Sequence, residues 1–118
     1  MSFKLTQEVD GTAVMTVDEM IGLIHQWGED RGITINGNAQ TQCLKLGSEF
    51  GELCDNLAKG RHDAAKDDIG DMIVVLIMIA SLIGTDIPEC LQVAYNDIKD
   101  RKGYLNSDGV FIKEGDTC

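Results

Sequence analysis

The chain has 118 residues and a formal net charge of −10, with 43% hydrophobic and 25% charged residues, which is typical of one soluble globular domain. This acidic balance argues against a general nucleic-acid-binding surface, which needs a basic stripe. Aromatic residues make up only 5% of the chain and proline occurs once, so we expect an aliphatic core and long helices. A small anionic substrate stays compatible with the charge, because carboxylates that recruit divalent cations become locally positive towards phosphate.

Targeting and membrane signals are not visible in the sequence. The beginning, MSFKLTQEVDG, has no apolar signal core and no small-residue cleavage site, so we expect no secretion signal. The apolar run Met72–Ile83 has 12 residues, whereas a membrane span needs roughly 20. The four cysteines show no CxxC spacing, which predicts reduced thiols in a cytoplasmic protein; they are Cys43, Cys54, Cys90 and Cys118.

The first predicted element is a helix from about Val17 to Asp30, preceded by an irregular or extended lead-in over residues 1–15. Thr16 and Glu19 form a capping box at its beginning, and apolar residues recur with helical spacing after it. Arg31-Gly32 ends it. The segment Ile33–Asn38 contains the turn signal Asn-Gly and is predicted to be a loop.

Two longer helices follow in the middle of the chain. The second runs from about Ala39 to Lys59, with Gly60 as a left-handed cap. The third has Asp63 as its N-cap and runs to about Leu82, after which Gly84 ends it. Its first turns are acidic and its later turns are apolar, which predicts a functional site near its beginning and a core or an interface beyond.

The fourth helix is predicted to begin after Asp86 as N-cap, with Pro88 in the first turn, and to end at Arg101 or Lys102. In the turn-rich tail, Val110–Lys113 forms either a hairpin strand or an ordered loop. The sequence thus predicts an all-α, four-helix bundle over residues 1–118, with a short irregular or hairpin tail.

Two pairs of carboxylates, each three residues apart, lie on neighbouring helices. Glu49 and Glu52 belong to the second helix, and Asp68 and Asp71 to the third. Positions i and i+3 share one helix face, so each pair projects in one direction. The short link at Gly60 makes the helices antiparallel neighbours. Four facing carboxylates form an oxygen-rich cage that suits Mg²⁺.

From the residues alone, this acidic face fits a metal site, a solvated surface or a set of buried ion pairs. Apolar neighbours such as Leu46 and Ile69 favour the metal site. Gly47, Gly51 and Gly70 each cost a helix about 1 kcal/mol relative to alanine, so they permit close helix approach or leave room for a ligand. Calcium storage is disfavoured because there is no EF-hand loop. A di-iron site is disfavoured because neither histidine follows a glutamate by three residues.

The ordered motifs resemble those of the MazG-like nucleoside triphosphate pyrophosphohydrolases, in the all-α NTP pyrophosphatase superfamily. That signature, EExxE followed by a spacer and ExxD, is approached here by Glu49-x-x-Glu52 and Asp68-x-x-Asp71. Over about Val17–Lys113 the chain looks like a small single-domain member, through WGEDRGI, QCLKLGSEFGEL, DDIGDMIVVL and AYNDIKDRKG.

Two positions depart from the family pattern. Ser48 occupies the first glutamate position of EExxE. Asp68 replaces the glutamate of ExxD, so the carboxylate is kept on a shorter side chain. Ser48 retains only a weak oxygen ligand. It motivates an alternative function, in which the chain is a catalytically weak nucleotide-sensing or structural oligomer of the same fold.

The resemblance implies a Mg²⁺-dependent enzyme, with Mn²⁺ as a substitute, in which Glu49, Glu52, Asp68 and Asp71 hold the metal. It also implies that water attacks the α-phosphorus of a (deoxy)nucleoside triphosphate, releasing nucleoside monophosphate and pyrophosphate for nucleotide-pool control. One site carboxylate acts as general base, and Glu52 is our candidate beside Glu49.

The residues expected to contact the substrate lie on three helices and the tail. Lys45 lies one helical turn before Glu49, where it reaches a phosphate or forms a surface salt bridge. Gln42 lies two turns before Glu49. Trp27 stacks on a nucleobase or belongs to the core or an interface. Asn96 and Lys99 match a family phosphate- and sugar-contacting position, or complement the helix dipole. Further substrate contacts are assigned to Arg101, Lys102 and Tyr104.

We also expect self-association as a dimer or as a tetramer built from dimers. The apolar third helix would mediate it, because a chain of this length has little else to cover Met72–Ile83. Neither a nucleic-acid polymer nor a membrane is an expected partner.

Overall fold

A computed structural model describes residues 8–9 and 12–115, which form five helices and four short strands, so the chain is mainly helical as predicted. The chain divides into two compact units, Met1–Ile87 and Pro88–Cys118. The first unit contains the antiparallel strands β1 (Glu8–Val9) and β2 (Thr12–Ala13). Its helices are α1 (Val17–Asp30), α2 (Ile33–Asn36), α3 (Ala39–Ala58) and α4 (His62–Leu82).

Helix α1 has the predicted bounds. The Thr16 hydroxyl accepts a hydrogen bond from the Glu19 amide at 3.2 Å, which satisfies one of the free donors of the first turn. At the other end, Gly32 has a φ of 76°, a left-handed conformation that glycine adopts without a steric cost. Both signals are local, which is why the sequence was sufficient to locate this helix.

The loop predicted for Ile33–Asn38 is wrong over its first four residues. Ile33–Asn36 forms α2, a single turn in which the Asn36 amide donates to the Gly32 carbonyl and the Gly37 amide to the Ile33 carbonyl. Asn38 is the N-cap of α3, since its Oδ1 accepts from the Thr41 amide at 3.0 Å.

The beginning of α4 also differs from the prediction. The helix begins at His62 with Arg61 in the N-cap position and without a side-chain capping bond, so Asp63 lies in the first turn. There its carboxylate is near the positive end of the helix dipole, which is favourable without a capping bond.

The core of the first unit lies along α4. Among the residues whose side chains the structure describes, the buried apolar ones are Ala65, Val75, Ile77, Met78 and Ala80. Helix α4 packs against α3, α1 and α2. Met78, with 2% of its surface exposed, lies against Gly28 of α1, where a Cβ atom would collide with the methionine sulfur. A larger residue at position 28 would therefore force the end of the Met78 side chain to move.

The glycines within α3 and α4 do not mediate helix approach in this chain. A Cβ atom added at Gly47, Gly51 or Gly70 would meet nothing within 4 Å. The expectation that they permit α3 and α4 to approach closely is wrong, because the two helices meet on other faces. The space beside these glycines is open, and the other alternative, room for a ligand, stays a prediction.

The second unit contains most of helix α5 (Ile87–Ile98) and a hairpin of β3 (Gly103–Leu105) and β4 (Phe111–Lys113). Tyr104 pairs with Ile112 in the antiparallel register. Of the two alternatives for the tail, the strand is therefore confirmed. Helix α5 ends at Ile98, earlier than predicted, because the Arg101 amide bonds to the Ile98 carbonyl in a tight turn that leads into β3.

Within the described ranges, no single helix is long and apolar enough to cross a membrane, and only α4 and α5 taken as a bent pair have the length and composition to do so. Cys43, Cys54 and Cys90 are exposed free thiols, as predicted, while Cys118 lies outside the described residues.

Candidate metal site

Three carboxylates from two helices converge in the first unit. Glu49 of α3 and Asp68 and Asp71 of α4 each offer a carboxylate oxygen, and these oxygens lie within 4.8 Å of one another. The spacing of three residues between Asp68 and Asp71 places both on one face of α4. We call these three residues the carboxylate cluster.

Asp68 is the buried member of the cluster, with 5% of its surface exposed. Its position in the sequence explains this: it follows Ala65 by three residues and precedes Val75 by seven, so it belongs to the stripe of α4 that faces the core. Asn56 of α3 donates from Nδ2 to Asp68 Oδ2 at 2.6 Å. This bond provides the polar partner that a buried carboxylate requires.

Asn56 belongs to neither of the two sequence motifs that predicted the site. A signal was present, since Asn56 follows Glu49 by seven residues and Glu52 by four, which places it on the same face of α3. Its partner was not visible, because the hydrogen bond depends on how α4 packs against α3.

Glu49 and Asp71 are both half-buried. Partial desolvation raises the pKa of Glu49, and the neighbouring charges of Glu52 and Asp71 raise it further. Desolvation likewise raises the pKa of Asp71, with additional contributions from Asp67 and Asp68. Lys45 lowers the pKa of both groups but does not outweigh the other causes. The cluster therefore concentrates negative charge, which a divalent cation would relieve.

Glu52 does not belong to the carboxylate cluster. Its side chain is exposed, and it lies close enough to Glu49 to raise the pKa of that residue. The structure thus brings together three of the four predicted carboxylates, with Glu52 next to one of them, and metal binding by Glu52 stays a prediction.

A pocket of about 430 Å³ opens beside the cluster. Its charged lining consists of Lys45, Glu49 and Asp71, and its apolar lining of Ile24, Trp27, Val74 and Val75. Trp27 and Lys45 were predicted as substrate contacts from the sequence, whereas the three aliphatic residues were not.

The Trp27 side chain is 44% exposed, so it is a surface residue of the pocket rather than a core residue. The Arg31 guanidinium lies 4.5 Å from the centre of the Trp27 ring, and its Nη1 donates to the Trp27 carbonyl at 3.0 Å. Arg31 thus covers the ring with a cation and fixes its own position through the backbone.

The remaining predicted contact residues are not part of this pocket. Gln42 of α3 is half-buried and does not line it. Asn96, Lys99, Arg101, Lys102 and Tyr104 belong to the second unit, and their substrate contacts stay predictions. There, Asn96 accepts a hydrogen bond from Gln92 at 3.0 Å, and Arg101 pairs with Asp97 at 2.7 Å. Lys102 and Tyr104 line a separate pocket of about 460 Å³ in that unit.

Comparison with known proteins gives one relative without a described activity. The chain is 44% identical over 64 residues to an uncharacterized 18.2 kDa protein in the rep-hol intergenic region of Haemophilus phage HP1 (strain HP1c1). The match covers 54% of this chain and 39% of the phage protein, so the chain corresponds to well under half of that relative. No protein-family model and no solved structure matches the chain.

Proposed function

We propose that the chain is a Mg²⁺-dependent nucleoside triphosphate pyrophosphohydrolase that acts at the α-phosphorus. The observation that carries this proposal is the convergence of Glu49, Asp68 and Asp71 beside a pocket that also presents Lys45 and Trp27. The resemblance of the motifs to those of MazG-like enzymes supports the same reaction. Deoxynucleotides are the proposed substrates.

The donor set of the cluster fits the proposed metal. All three members offer carboxylate oxygens, the hard ligands that Mg²⁺ and Mn²⁺ prefer, and the cluster contains neither a thiolate nor an imidazole. Mg²⁺ in phosphoryl-transfer sites is usually held by few carboxylates together with substrate phosphates and water, so three are sufficient. Bound Mg²⁺ would neutralise phosphate charge and lower the pKa of the attacking water.

The other residues of the pocket are suited to bind the phosphate groups and the base of a nucleotide. Lys45 supplies a positive charge for a phosphate group. Trp27 offers an exposed ring for stacking on a base, while Ile24, Val74 and Val75 supply an apolar surface that excludes water.

Glu52 is the proposed general base. It lies next to Glu49 yet outside the cluster, so its oxygens are available to take a proton rather than to bind the metal. In the proposed step the water oxygen bonds to the α-phosphorus and its proton passes to Glu52. The bond from the α-phosphorus to the bridging oxygen breaks, and pyrophosphate leaves.

Self-association through α4 is part of the proposal. Ile69, Ile73, Leu76 and Ile83 are all exposed, and their spacing of four, three and seven residues places them on one side of α4. Helix α3 exposes Leu44, Phe50 and Leu57. A second copy of the chain would cover these apolar surfaces, as a dimer or in a tetramer of dimers.

Product identification tests the proposal. The purified protein is incubated with Mg²⁺ and a panel of NTPs and dNTPs, and we expect monophosphate and pyrophosphate from at least one of them. Glu49→Ala should abolish the activity, whereas Glu29→Ala, which removes an exposed glutamate outside the cluster, should not.

Two outcomes would contradict the proposed reaction. Diphosphate with orthophosphate as products would place the attack at another phosphorus. Tight nucleotide binding without turnover across the panel would favour the sensing or structural oligomer, for which exposed Ser48 in place of a motif glutamate is the supporting observation.

A further inference from the structure

We infer that Asn56 is a positioning residue that holds the Asp68 carboxylate in the orientation needed to bind a divalent cation. This inference rests on the proposed function, because it takes Asp68 as a metal ligand. Asn56 lies outside both carboxylate motifs, and the structure connects it to the site through a single contact.

The contact is short and crosses between helices. Half-buried Asn56 on α3 donates from Nδ2 to Oδ2 of Asp68 on α4 at 2.6 Å. A hydrogen bond to an ionised acceptor is both stronger and more directional than one between neutral groups. An ionised carboxylate has about four lone-pair positions on two oxygens, so one bond to Oδ2 fixes the group and leaves positions for a cation.

The neutral character of the donor matters for the charge of the site. Buried carboxylates with a purely structural role are usually paired with lysine or arginine. Within residues 14–115, however, Asp68 forms no ion pair, and its side-chain partner is the neutral amide of Asn56. Asn56 is a neutral donor, so it provides a hydrogen bond to Asp68 without adding a positive charge that would compete with a metal.

Asn56 also belongs to the face of α3 that carries the site. Lys45, Glu49, Glu52 and Asn56 are spaced by four, three and four residues, which keeps them on one side of the helix. The same helix therefore provides a metal ligand at Glu49 and the support for a ligand of α4 at Asp68.

The test is metal binding by the 118-residue chain in the absence of nucleotide, measured as the Kd for Mn²⁺ by electron paramagnetic resonance. Asn56→Ala frees the Asp68 carboxylate, and loss of such a supporting partner typically weakens metal binding about 10- to 100-fold. Asn56→Gln keeps the amide on a longer arm and should recover part of the affinity. An unchanged Kd in Asn56→Ala would overturn the inference.

A matched control separates positioning from general loss of stability. Asn38 is the N-cap residue of α3, and its side chain caps the helix by accepting a hydrogen bond from the Thr41 amide. Asn38→Ala should lower the melting temperature while leaving the Kd for Mn²⁺ at the wild-type value. Equal weakening of binding by both alanine variants would contradict a specific role for Asn56.

A double substitution tests whether Asn56 acts through Asp68. In an Asp68→Asn background, Asn56→Ala should cause no further loss of affinity, since residues that act as a unit are not additive. A further loss of the same size would mean that Asn56 acts elsewhere. If the wild-type protein binds no Mn²⁺ either alone or with a non-hydrolysable nucleotide, the proposed function fails and this inference with it. If the wild-type protein binds Mn²⁺ and Asn56→Ala leaves the Kd unchanged, only this inference fails.

Discussion

The two units of the chain hold their polar side chains in different ways. In the first unit, the buried stripe of α4 fixes Asp68, and a hydrogen bond between residues twelve positions apart in the sequence completes its environment. In the described part of the second unit no side chain is buried, and the contacts of Asn96 and Arg101 join residues only four apart in the sequence.

Asp68 is thus held in place by packing between helices, whereas Asn96 and Arg101 are held by contacts between residues close in the sequence. A side chain fixed by packing stays in place when its immediate neighbours change, whereas one fixed by an i,i+4 contact depends on a weak and solvent-screened interaction. We therefore expect substitutions in the first unit to alter stability and catalysis strongly, and those in the second unit to alter substrate affinity at most.

The largest expected effect is on stability. Met78→Ala leaves a cavity against Gly28 and should lower the free energy of unfolding by about 2–5 kcal/mol. Val93→Ala, at a position of the second unit that is 67% exposed, should change it by less than about 0.5 kcal/mol. Urea denaturation at one protein concentration measures both, and equal effects would remove the distinction between the units.

Removing one carboxylate of the cluster should affect catalysis next most strongly. Asp71→Asn should lower kcat by about 100-fold or more, because it removes a proposed ligand of the catalytic metal. Asp97→Asn makes the same chemical change in the second unit, where the carboxylate pairs with Arg101, and should leave kcat near the wild-type value. Steady-state kinetics with the best substrate of the panel decide between these outcomes.

The same site makes stability depend on pH in a definite direction. Because the pKa values of Glu49 and Asp71 are raised by folding, the folded chain holds these protons more tightly than the unfolded chain. The stability that Glu49 and Asp71 contribute in this way is fully present below about pH 4, the ordinary pKa of a carboxyl group, and is lost as the pH rises through their raised pKa values. Melting temperatures in chelator should therefore fall over that interval.

Two further measurements test whether the carboxylate cluster causes this pH dependence. Addition of Mg²⁺ should reduce the decline, since a bound cation stabilises the ionised carboxylates. Asp71→Asn should also reduce it and should raise the melting temperature of the metal-free protein at neutral pH. A melting temperature that rises with pH in chelator, to the same extent in this variant, would contradict the assignment.

The smallest expected effect belongs to the second unit. Arg101→Ala removes an ion pair with Asp97 and should change the free energy of unfolding by at most about 1 kcal/mol. If Arg101 contacts substrate phosphate, KM rises while kcat is unchanged. A large fall in kcat would instead mean that the second unit contributes to the chemical step itself.

Local signals in the sequence were sufficient for much of the fold. The bounds of α1 follow from Thr16 and Gly32, and the antiparallel arrangement of α3 and α4 follows from their lengths and the short link between them. The end of α5 was missed, because pairing of Gly103–Leu105 with Phe111–Lys113 overrides the helix-forming residues before it. A single turn such as α2 has the same Gly and Asn signals as a loop.

The part of the site that depends only on residue spacing along one helix was predictable from the sequence. The spacing of Asp68 and Asp71 placed both on one side of α4, and convergence with Glu49 required only the helical hairpin. The role of Asn56 and the exposure of Trp27 were not predictable in the same way. They depend on which stripe of each helix faces the core, and in α1 the buried position is Gly28 rather than Trp27.

Trp27 has one further consequence. It is the only tryptophan of the chain, it is partly exposed, and it lines the pocket that contains Glu49 and Asp71. Its fluorescence therefore comes from one place, next to the proposed triphosphate site and under the charge of Arg31. The protein contains a natural optical reporter, through which a non-hydrolysable nucleotide entering the pocket can be followed by emission alone.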